Sequence, residues 1–442
     1  MQTACDAIIV GGGPAGATAA ALLARAGWSV AVVEKQAFPR RKVCGECIAA
    51  SNLPLLKALG IDLAAVGTPA GAPLRRVSVL QGARSVFFDL PAAPETGMEW
   101  GRALGRETLD TLLMAAARKA GAAVWQPWAV DALEGGPGAF RCTLRNPQTL
   151  QCTTLTAPVA ILANGSWEPL PAQRAQRRTQ RRASDLFAFK ANFSAGALPP
   201  GLLPVLSFPG GYGGMVVADA GTLTLACCVR ADRLEQLRKA FPGHSAGEVV
   251  EAMLRREIPA VDEALGTAVR DQPWIASGPL HPGVHLREDD TVFRIGNAAA
   301  EAHPIIGEGM SMAMQSAWLL CAQLLEGAPH IRCGVPQKHS AQEVALWQAH
   351  IARRFARLWR SKFALRLHVA AVLAHAAMRP GWSALPLQLA QRWPSLLTRG
   401  VAWCGKTHTV PDAATLARLA AHCHAAAALP VLTATKAGHA PL

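Results

Sequence analysis

The period of the apolar positions changes repeatedly along the chain, and each change marks an element. Ala7 to Val10 is an unbroken apolar run that reads as a buried strand. Gly11-Gly12-Gly13-Pro14-Ala15-Gly16 interrupts it as a tight turn, and an apolar helix is predicted from there to about Ala26. A second apolar strand runs from Ser29 to Val33 and stops at Glu34. Strand, turn, helix and strand in this order make a βαβ unit.

Further on, Phe38-Pro39-Arg40 is a loop, and a helix restarts near Ala50 and ends at Gly60. From Leu74 to Leu90 the pattern moves to alternation (Val77 and Val79, Val86 and Phe88), which predicts antiparallel strands. An amphipathic helix opens at Gly105-Arg106 and runs to about Ala120, with a strand at Ala123–Trp125 and others near Phe140–Leu144 and Gln151–Leu155. Pro158 to Ala163 is an apolar strand ending in a turn at Asn164-Gly165-Ser166. Strands are predicted at Leu186–Phe193, Val205–Phe208 and Leu223–Val229, with the glycine cluster Pro209–Met215 between the last two. Helices fit Leu234–Phe241 and Ala246–Ile258. A strand at Val292–Ile295 then leads into Gly296–Leu325, whose helix starts near Gly309. Beyond Gly327 the chain reads as helical, broken at Pro380, Pro386, Pro394 and Pro411.

About half of the 442 residues are apolar, which excludes a disordered chain and supplies core enough for two domains or more. The strand at Ala7 leaves no length before it for a signal or transit peptide, and no apolar run reaches the roughly 18 residues of a spanning helix. The expectation is a cytoplasmic protein, at most peripheral to a membrane. The eleven cysteines are odd in number and irregularly spaced, which favours free thiols. Cys44 and Cys47 have a redox or metal spacing, but zinc would need a second pair, and Cys227-Cys228 does not supply the geometry, so no metal is expected. Part of the net charge of +14 is clustered: Arg174, Arg177, Arg178, Arg181 and Arg182 follow helical spacing. This stripe reads first as a solvated face, and otherwise suits an acidic partner protein or an anionic membrane. No reading motif for nucleic acid accompanies it, so nucleic acid is not an expected partner.

The chemistry starts at the first turn. Gly11, Gly13 and Gly16 have the G-x-G-x-x-G spacing inside a βαβ unit, and Glu34 follows Gly16 by 18 residues. Gly11 allows the sharp turn, Gly13 lets the backbone approach a pyrophosphate, and Gly16 seats the helix close to the strand. The helix N-terminus offers free N–H groups and partial positive charge, and Glu34 can accept the hydroxyls of a ribose. This is a dinucleotide site.

Three segments read together carry a resemblance: the Gly11–Gly16 turn with Glu34, Phe38 to Glu46 (FPRRKVCGE), and Gly296 to Gly309 with its helix. The chain resembles the flavoprotein superfamily built like p-hydroxybenzoate hydroxylase, in the branch holding geranylgeranyl reductases, flavin-dependent halogenases and tailoring monooxygenases. The resemblance covers roughly residues 6–325. It implies an α/β fold, a Rossmann-type FAD-binding domain with an interleaved antiparallel β-sheet substrate domain and a C-terminal helical region. The FAD-binding segments fall at 1–73, 101–170 and 286–327, the substrate segments at 74–100 and 171–285, and the helical region at 328–442. FAD is the implied cofactor, held by Gly11, Gly13, Pro14, Ala15, Gly16, Glu34, Lys35, Arg40, Cys44, Arg106, Gly296, Asn297, Pro304, Gly307, Gly309 and Met310. The family places Asp after Gly296; here Asn297 keeps an acceptor and adds two donors for the ribityl chain. Arg106 also has an ion-pair partner at i+4, Asp110. His303 and Glu301 are the ionisable side chains nearest the implied flavin face, and Tyr212, the single tyrosine, lies where the family places substrate.

Four readings compete, three of them reactions of the branch. A monooxygenase takes electrons from NAD(P)H, which binds transiently, and inserts one oxygen from O2 through a flavin C4a-hydroperoxide into a hydrophobic aromatic, polyketide or quinone-type substrate. A reductase saturates an isolated double bond of a prenyl lipid; the CGE and PGGYGG elements lean that way. A halogenase ranks below both, because the tryptophan–x–tryptophan–x–Ile-Pro element is missing. A flavin electron-transfer adaptor docking through Arg174–Arg182 is the non-catalytic reading. The monooxygenase leads narrowly. Met310, Met312, Met314 and Trp318 read as core and not as a substrate channel. On the C-terminal helix, Ile351, Phe355, Leu358, Trp359 and Phe363 make one apolar face. Arg353, Arg354, Arg357 and Arg360 lie opposite, with Lys362 and Arg366 near the edge. That face either packs on the nucleotide domain or lies on an anionic bilayer.

Overall fold

The computed structural model describes residues 2–63, 70–93, 100–166, 181–327 and 340–379, with 381, 392, 393, 395, 397 and 398. In chain order, β1 (Ala7–Val10), α1 (Pro14–Arg25) and β2 (Val30–Val33) form the first unit. The chain leaves it for β3 (Arg76–Gln81) and β4 (Arg84–Asp89), then returns through α2 (Arg106–Lys119) to β5 (Ala123–Trp125) and later β6 (Val159–Leu162). Next come β7 (Leu186–Ser194), β8 (Leu202–Phe208), β9 (Gly211–Ala218), β10 (Thr222–Arg230) and α3 (Ala246–Glu257). Strand β11 (Phe293–Arg294) leads to α4 (Gly309–Gly327) and α5 (Ala341–Ala377).

Two sheets organise the molecule. The first has five parallel strands in the order β11-β6-β1-β2-β5. Its strands β1, β2 and β6 are buried along their whole length, as continuous apolar runs require when both faces are covered. Helix α1 is apolar all round because it is enclosed by this sheet and by α2 and α4. The second sheet has eight strands, with β7-β10-β9-β8-β3-β4 in its path, and its pairs are antiparallel except β8 with β3. One of its faces is covered by α3 and the neighbouring helix Pro259–Leu265. A smaller sheet of four strands carries the expected Phe140–Arg145 and Cys152–Ala157 pair, with Ala129–Glu134 and Gln2–Ala4 as outer strands.

The glycine cluster between β8 and β10, to which the sequence pattern assigns no element, is not a mere connector. Most of it is strand β9, in the interior of the large sheet. A Cβ on Gly213 would stand 2.7 Å from Cys227 Cβ and 2.7 Å from the Ala226 carbonyl oxygen, and one on Gly211 would overlap the Phe208 ring. The glycines buy close strand contact, not a loop.

The C-terminal helix takes the first of the two alternatives open to its apolar face, packing on the nucleotide domain. Ile351, Phe355, Trp359 and Phe363 lie inside the same core as α1 and α4. Burying each large side chain stabilises by roughly 1.5–3 kcal/mol, so this face is committed to the interior. Arg354 pairs with Glu326 at 3.0 Å and Arg360 with Glu288 at 2.7 Å, while Arg366 is buried and donates to Gln315 Oε1 at 3.2 Å. The face that could have met a bilayer holds α5 to the nucleotide domain instead. Among the described residues no helix is long and apolar enough to cross a membrane. Arg174, Arg177 and Arg178 lie outside the described residues. Arg181 and Arg182 are exposed and not helical, and Arg181 sits over the Phe187 ring at 5.6 Å.

Candidate functional site

The turn between β1 and α1 separates its glycines by task. Gly11 has φ +104°, and a Cβ there would lie 2.5 Å from the Ala163 carbonyl oxygen; a Cβ on Gly16 would overlap the Gly11 carbonyl. Both are packing glycines. Gly13, the residue before α1, has an ordinary φ of −71° and lines a cavity. A Cβ on it would meet only Arg40 Nη2 and Arg106 Nη2, each at 3.6 Å. Helix α1 has no side-chain cap, so its first N–H groups point at the same opening.

The two arginines are held by acids. Arg106 makes a bidentate pair with Asp110, 2.8 and 2.7 Å, and Asp110 is fully buried. Burial works against the Arg106 cation, but Asp110 outweighs it and raises the guanidinium pKa further. Arg40 lies 3.3 Å from Glu34 and 3.5 Å from Asp110, and its buried Nε has no hydrogen-bond partner. Glu34 accepts from the Gly12 and Gln36 N–H groups, both at 2.9 Å, and each oxygen keeps a further lone pair. An unfilled space beside Gly13, two fixed guanidinium groups, an orphaned N–H and a bare helix N-terminus fit the pyrophosphate of a dinucleotide. Lys35 does not join them. Successive strand residues point to opposite faces, so with Glu34 turned inward Lys35 is exposed.

From this cradle a cavity of about 490 Å³ runs past Pro14, Ala15 and Cys44 and along the loop after β11. Gly296, Asn297, Pro304, Gly307, Gly309 and Met310 all line it, so the third segment meets the first two in one space. Asn297 Nδ2 donates to Ser166 Oγ at 2.9 Å, and Ser166 lines the same wall. Gly307 is left-handed, φ +65°, and turns the chain into the start of α4. Met312, Met314 and Trp318 are core.

The far end of the cavity is a chamber walled by the large sheet: Val77, Val79 and Phe88 on β3 and β4, Leu203 and Val205 on β8, and Tyr212 on β9. Tyr212 is buried, and its hydroxyl lies 3.1 Å from His303 Nδ1. His303 is not on this wall. Its ring reaches Tyr212 from a second cavity, about 280 Å³, where the His375 ring centroid is 5.7 Å away. Burial, then His375, lower the His303 pKa to about 4, so the imidazole is neutral at pH 7. Burial also raises Tyr212 well above the ordinary phenol value, followed by Cys228 and Glu301. Glu301 lines the main cavity but is turned to the backbone, accepting from His281 N at 3.1 Å. Cys44 and Cys228 also line the cavity with pKa values raised by burial, Cys228 to about 12; both are protonated thiols at neutral pH. Among the described residues no cluster could hold a metal ion.

Two functional residues escape sequence reasoning. Glu46, in the CGE stretch, has φ +57° and a buried carboxylate that lines the cavity. It accepts from Lys190 Nζ on β7, from Thr224 Oγ1 on β10, and from the Arg106 N–H at 3.1 Å. Lys190 is wholly buried. This joins the start of α2, which carries Arg106, to the large sheet. A lysine in the alternating apolar strand Leu186–Ser194 was the one signal available, but nothing local names a partner 144 residues away.

A parallel sheet with a glycine-rich turn and a cation-lined cradle, opening into a cavity walled by a second sheet, is the arrangement of an FAD-binding domain. The chain belongs to the FAD binding domain family, whose model matches residues 4–328. It is 25% identical over 339 residues to the tryptophan 2-halogenase of Chondromyces crocatus, covering 73% of this chain and 62% of that one. The chain therefore spans less than two thirds of that relative's length. In structure it is similar to a geranylgeranyl bacteriochlorophyll reductase-like protein from Thermoplasma acidophilum, with TM-score 0.63, 18% identity, and 95% and 96% of the two chains covered. It is also similar to a probable FAD-dependent monooxygenase from Pseudomonas aeruginosa, with TM-score 0.62, 17% identity, and 86% and 99% covered. At these identities the two structures establish the fold and leave the reaction open.

Proposed function

We propose that the protein is an FAD-dependent monooxygenase that hydroxylates a hydrophobic aromatic, polyketide or quinone-type substrate, with NAD(P)H as transient electron donor. The observation that carries this reading is the single cavity in which the dinucleotide cradle continues into an apolar chamber ending at a neutral Tyr212–His303 pair. Bound FAD would supply the two-electron chemistry between nicotinamide and O2. The chain's own contribution is positional. Gly13, Arg40 and Arg106 would hold the pyrophosphate, Glu34 the ribose and Asn297 the ribityl chain. The N-terminus of α4, at cavity-lining Gly309, would favour negative charge on a reduced flavin by roughly 0.3–2 kcal/mol. Val77, Val79, Phe88 and Val205 exclude water from the chamber. Tyr212 Oη, fixed by its 3.1 Å contact with the neutral His303 Nδ1, would orient a substrate oxygen by hydrogen bonding in the chamber.

Reduction of a double bond is the second reading, favoured by the same pair, since Tyr212 can equally give its proton to carbon. One experiment separates them. Purified holoprotein is given NADH or NADPH with a panel of aromatic polyketides, quinones and prenyl lipids, with and without halide. Substrate-stimulated O2 uptake and a product heavier by one oxygen are expected. A product gaining two hydrogens without O2 uptake, or a halogenated product, would overturn the monooxygenase.

A further inference from the structure

We propose that the outward face of the second half of α5 is a docking surface for an anionic lipid bilayer, set beside the mouth of the substrate cavity. This face is not the buried one described above. Leu365 is 60% exposed and Val372 69%, and half-buried Leu358, Val369 and Ala376 share their side of the helix at steps of three, four and seven residues. Leu373, next in line, is 44% exposed and also lines the cavity, as Ala376 does. The apolar stripe thus runs along the helix surface to the chamber itself.

Beyond Glu343 every charged residue of α5 itself is basic, and of these Arg354 and Arg360 pair with Glu326 and Glu288 on other parts of the chain. From residue 344 to residue 411 the sequence holds ten Arg and Lys and no Asp or Glu, which accounts for ten of the chain's fourteen net positive charges. On α5, Arg353, Arg357 and Lys362 are exposed and make no ion pair among the described residues. Exposed Leu and Val on a helix ridge fringed by unopposed cations is the composition that lies in a bilayer interface, apolar side chains below the headgroups and cations among them. Lipid is the partner that satisfies both parts, since an acidic protein groove would answer the charge but leave no reason for the stripe to end in the cavity. The surface also rests on the proposed reading in one respect: a hydrophobic substrate would pass from lipid to chamber past Leu373 without crossing water.

The test uses FAD-loaded full-length protein and sedimentation with vesicles, a readout independent of turnover. Vesicles are phosphatidylcholine alone, or with about 30% phosphatidylglycerol, where each basic residue near the surface contributes. The protein is expected to sediment with the anionic vesicles at low salt. Binding should fall at least about tenfold on phosphatidylcholine alone and at about 0.5 M salt, where screening shortens to roughly 4 Å. Leu365→Ser with Val372→Ser, and separately Arg353→Gln, Arg357→Gln and Lys362→Gln together, should each lower binding about tenfold or more. Both should leave flavin content and basal NAD(P)H oxidation unchanged, because none of these residues touches the cavity. Failure of the wild type to sediment at low salt would overturn the proposal, as would variants that bind like wild type. A concentration-dependent dimer dissolved by the Leu365 and Val372 changes would assign the stripe to a second copy and overturn it too. Loss of the hydroxylase reading would show in the oxygen assay alone and leave vesicle binding intact.

Discussion

Gly13 and Gly11 stand two residues apart, yet replacing them asks different questions. Gly11 has a positive φ and a carbonyl where a Cβ would go, so any side chain there strains the turn. Gly13 has an ordinary φ, and its missing side chain faces only two guanidinium groups. Gly13→Val is therefore expected to fold, with unchanged circular dichroism, and to purify colourless; a yellow variant with normal flavin content would remove FAD from this cradle. The glycine spacing announces this residue in the sequence because its function is local. The Tyr212–His303 pair is not local, since the partners are 91 residues apart, and the sequence showed two candidates without showing that they touch. That pair sets a pH dependence. His303 is neutral in the fold with a pKa near 4, while its unfolded value is about 6.5. Below pH 6.5 the unfolded chain takes up a proton that the native chain refuses, so stability falls as pH drops from 6.5 toward 4 and levels off beneath that. Discounted for solvent screening of a ring that is not wholly buried, the loss is roughly 1–2 kcal/mol. Urea midpoints measured between pH 7 and 4 should show it in wild type and show less of it in His303→Gln.

Among the elements, β1, α1, β2 and β6 were legible because a doubly covered parallel sheet leaves unbroken apolar runs. Ala129–Glu134 was not, since its residues are half-exposed throughout and no alternation marks a buried face. Strand β9 hid for a different reason. Glycine is depleted in strands, and a run holding four of them reads as a turn unless the neighbours are known. Here the neighbours decide: β10 lies so close that Gly213 has no room for a Cβ between Ala226 and Cys227. Gly213→Val should cost about 1–3 kcal/mol through overpacking, read as a lower urea midpoint of the FAD-loaded protein. An unchanged midpoint would mean that the sheet opens there at little cost. The C-terminal helix was legible as amphipathic, but not which apolar surface it buries, because a helix pattern shows a face and not its partner.

At the scale of the whole molecule, the buried Lys190–Glu46 pair links the nucleotide domain to the large sheet, beside Asp219, which accepts from the Gly105 N–H and from Thr108 Oγ1. Lys190→Met would leave a carboxylate buried without its cation, at a cost of about 3–5 kcal/mol, and Lys190→Met with Glu46→Gln should recover part of it. Equal midpoints for the single and double variants would show that the pair is not coupled. Folding order follows from the layout of the parallel sheet. Its central strand β1 ends at Val10, whereas its edge strand β11 is residues 293 and 294, and Asn297 follows directly. During synthesis, at about 5–20 residues per second, tens of seconds separate the emergence of the pyrophosphate cradle from that of the opposite wall. A nascent chain or fragment ending before residue 293 carries the entire glycine turn but only half of the binding site, and it should retain no flavin on a desalting column. Cofactor capture then belongs to the last stage of assembly, and flavin supply governs how much of the newly made protein passes that stage before proteolysis takes the rest.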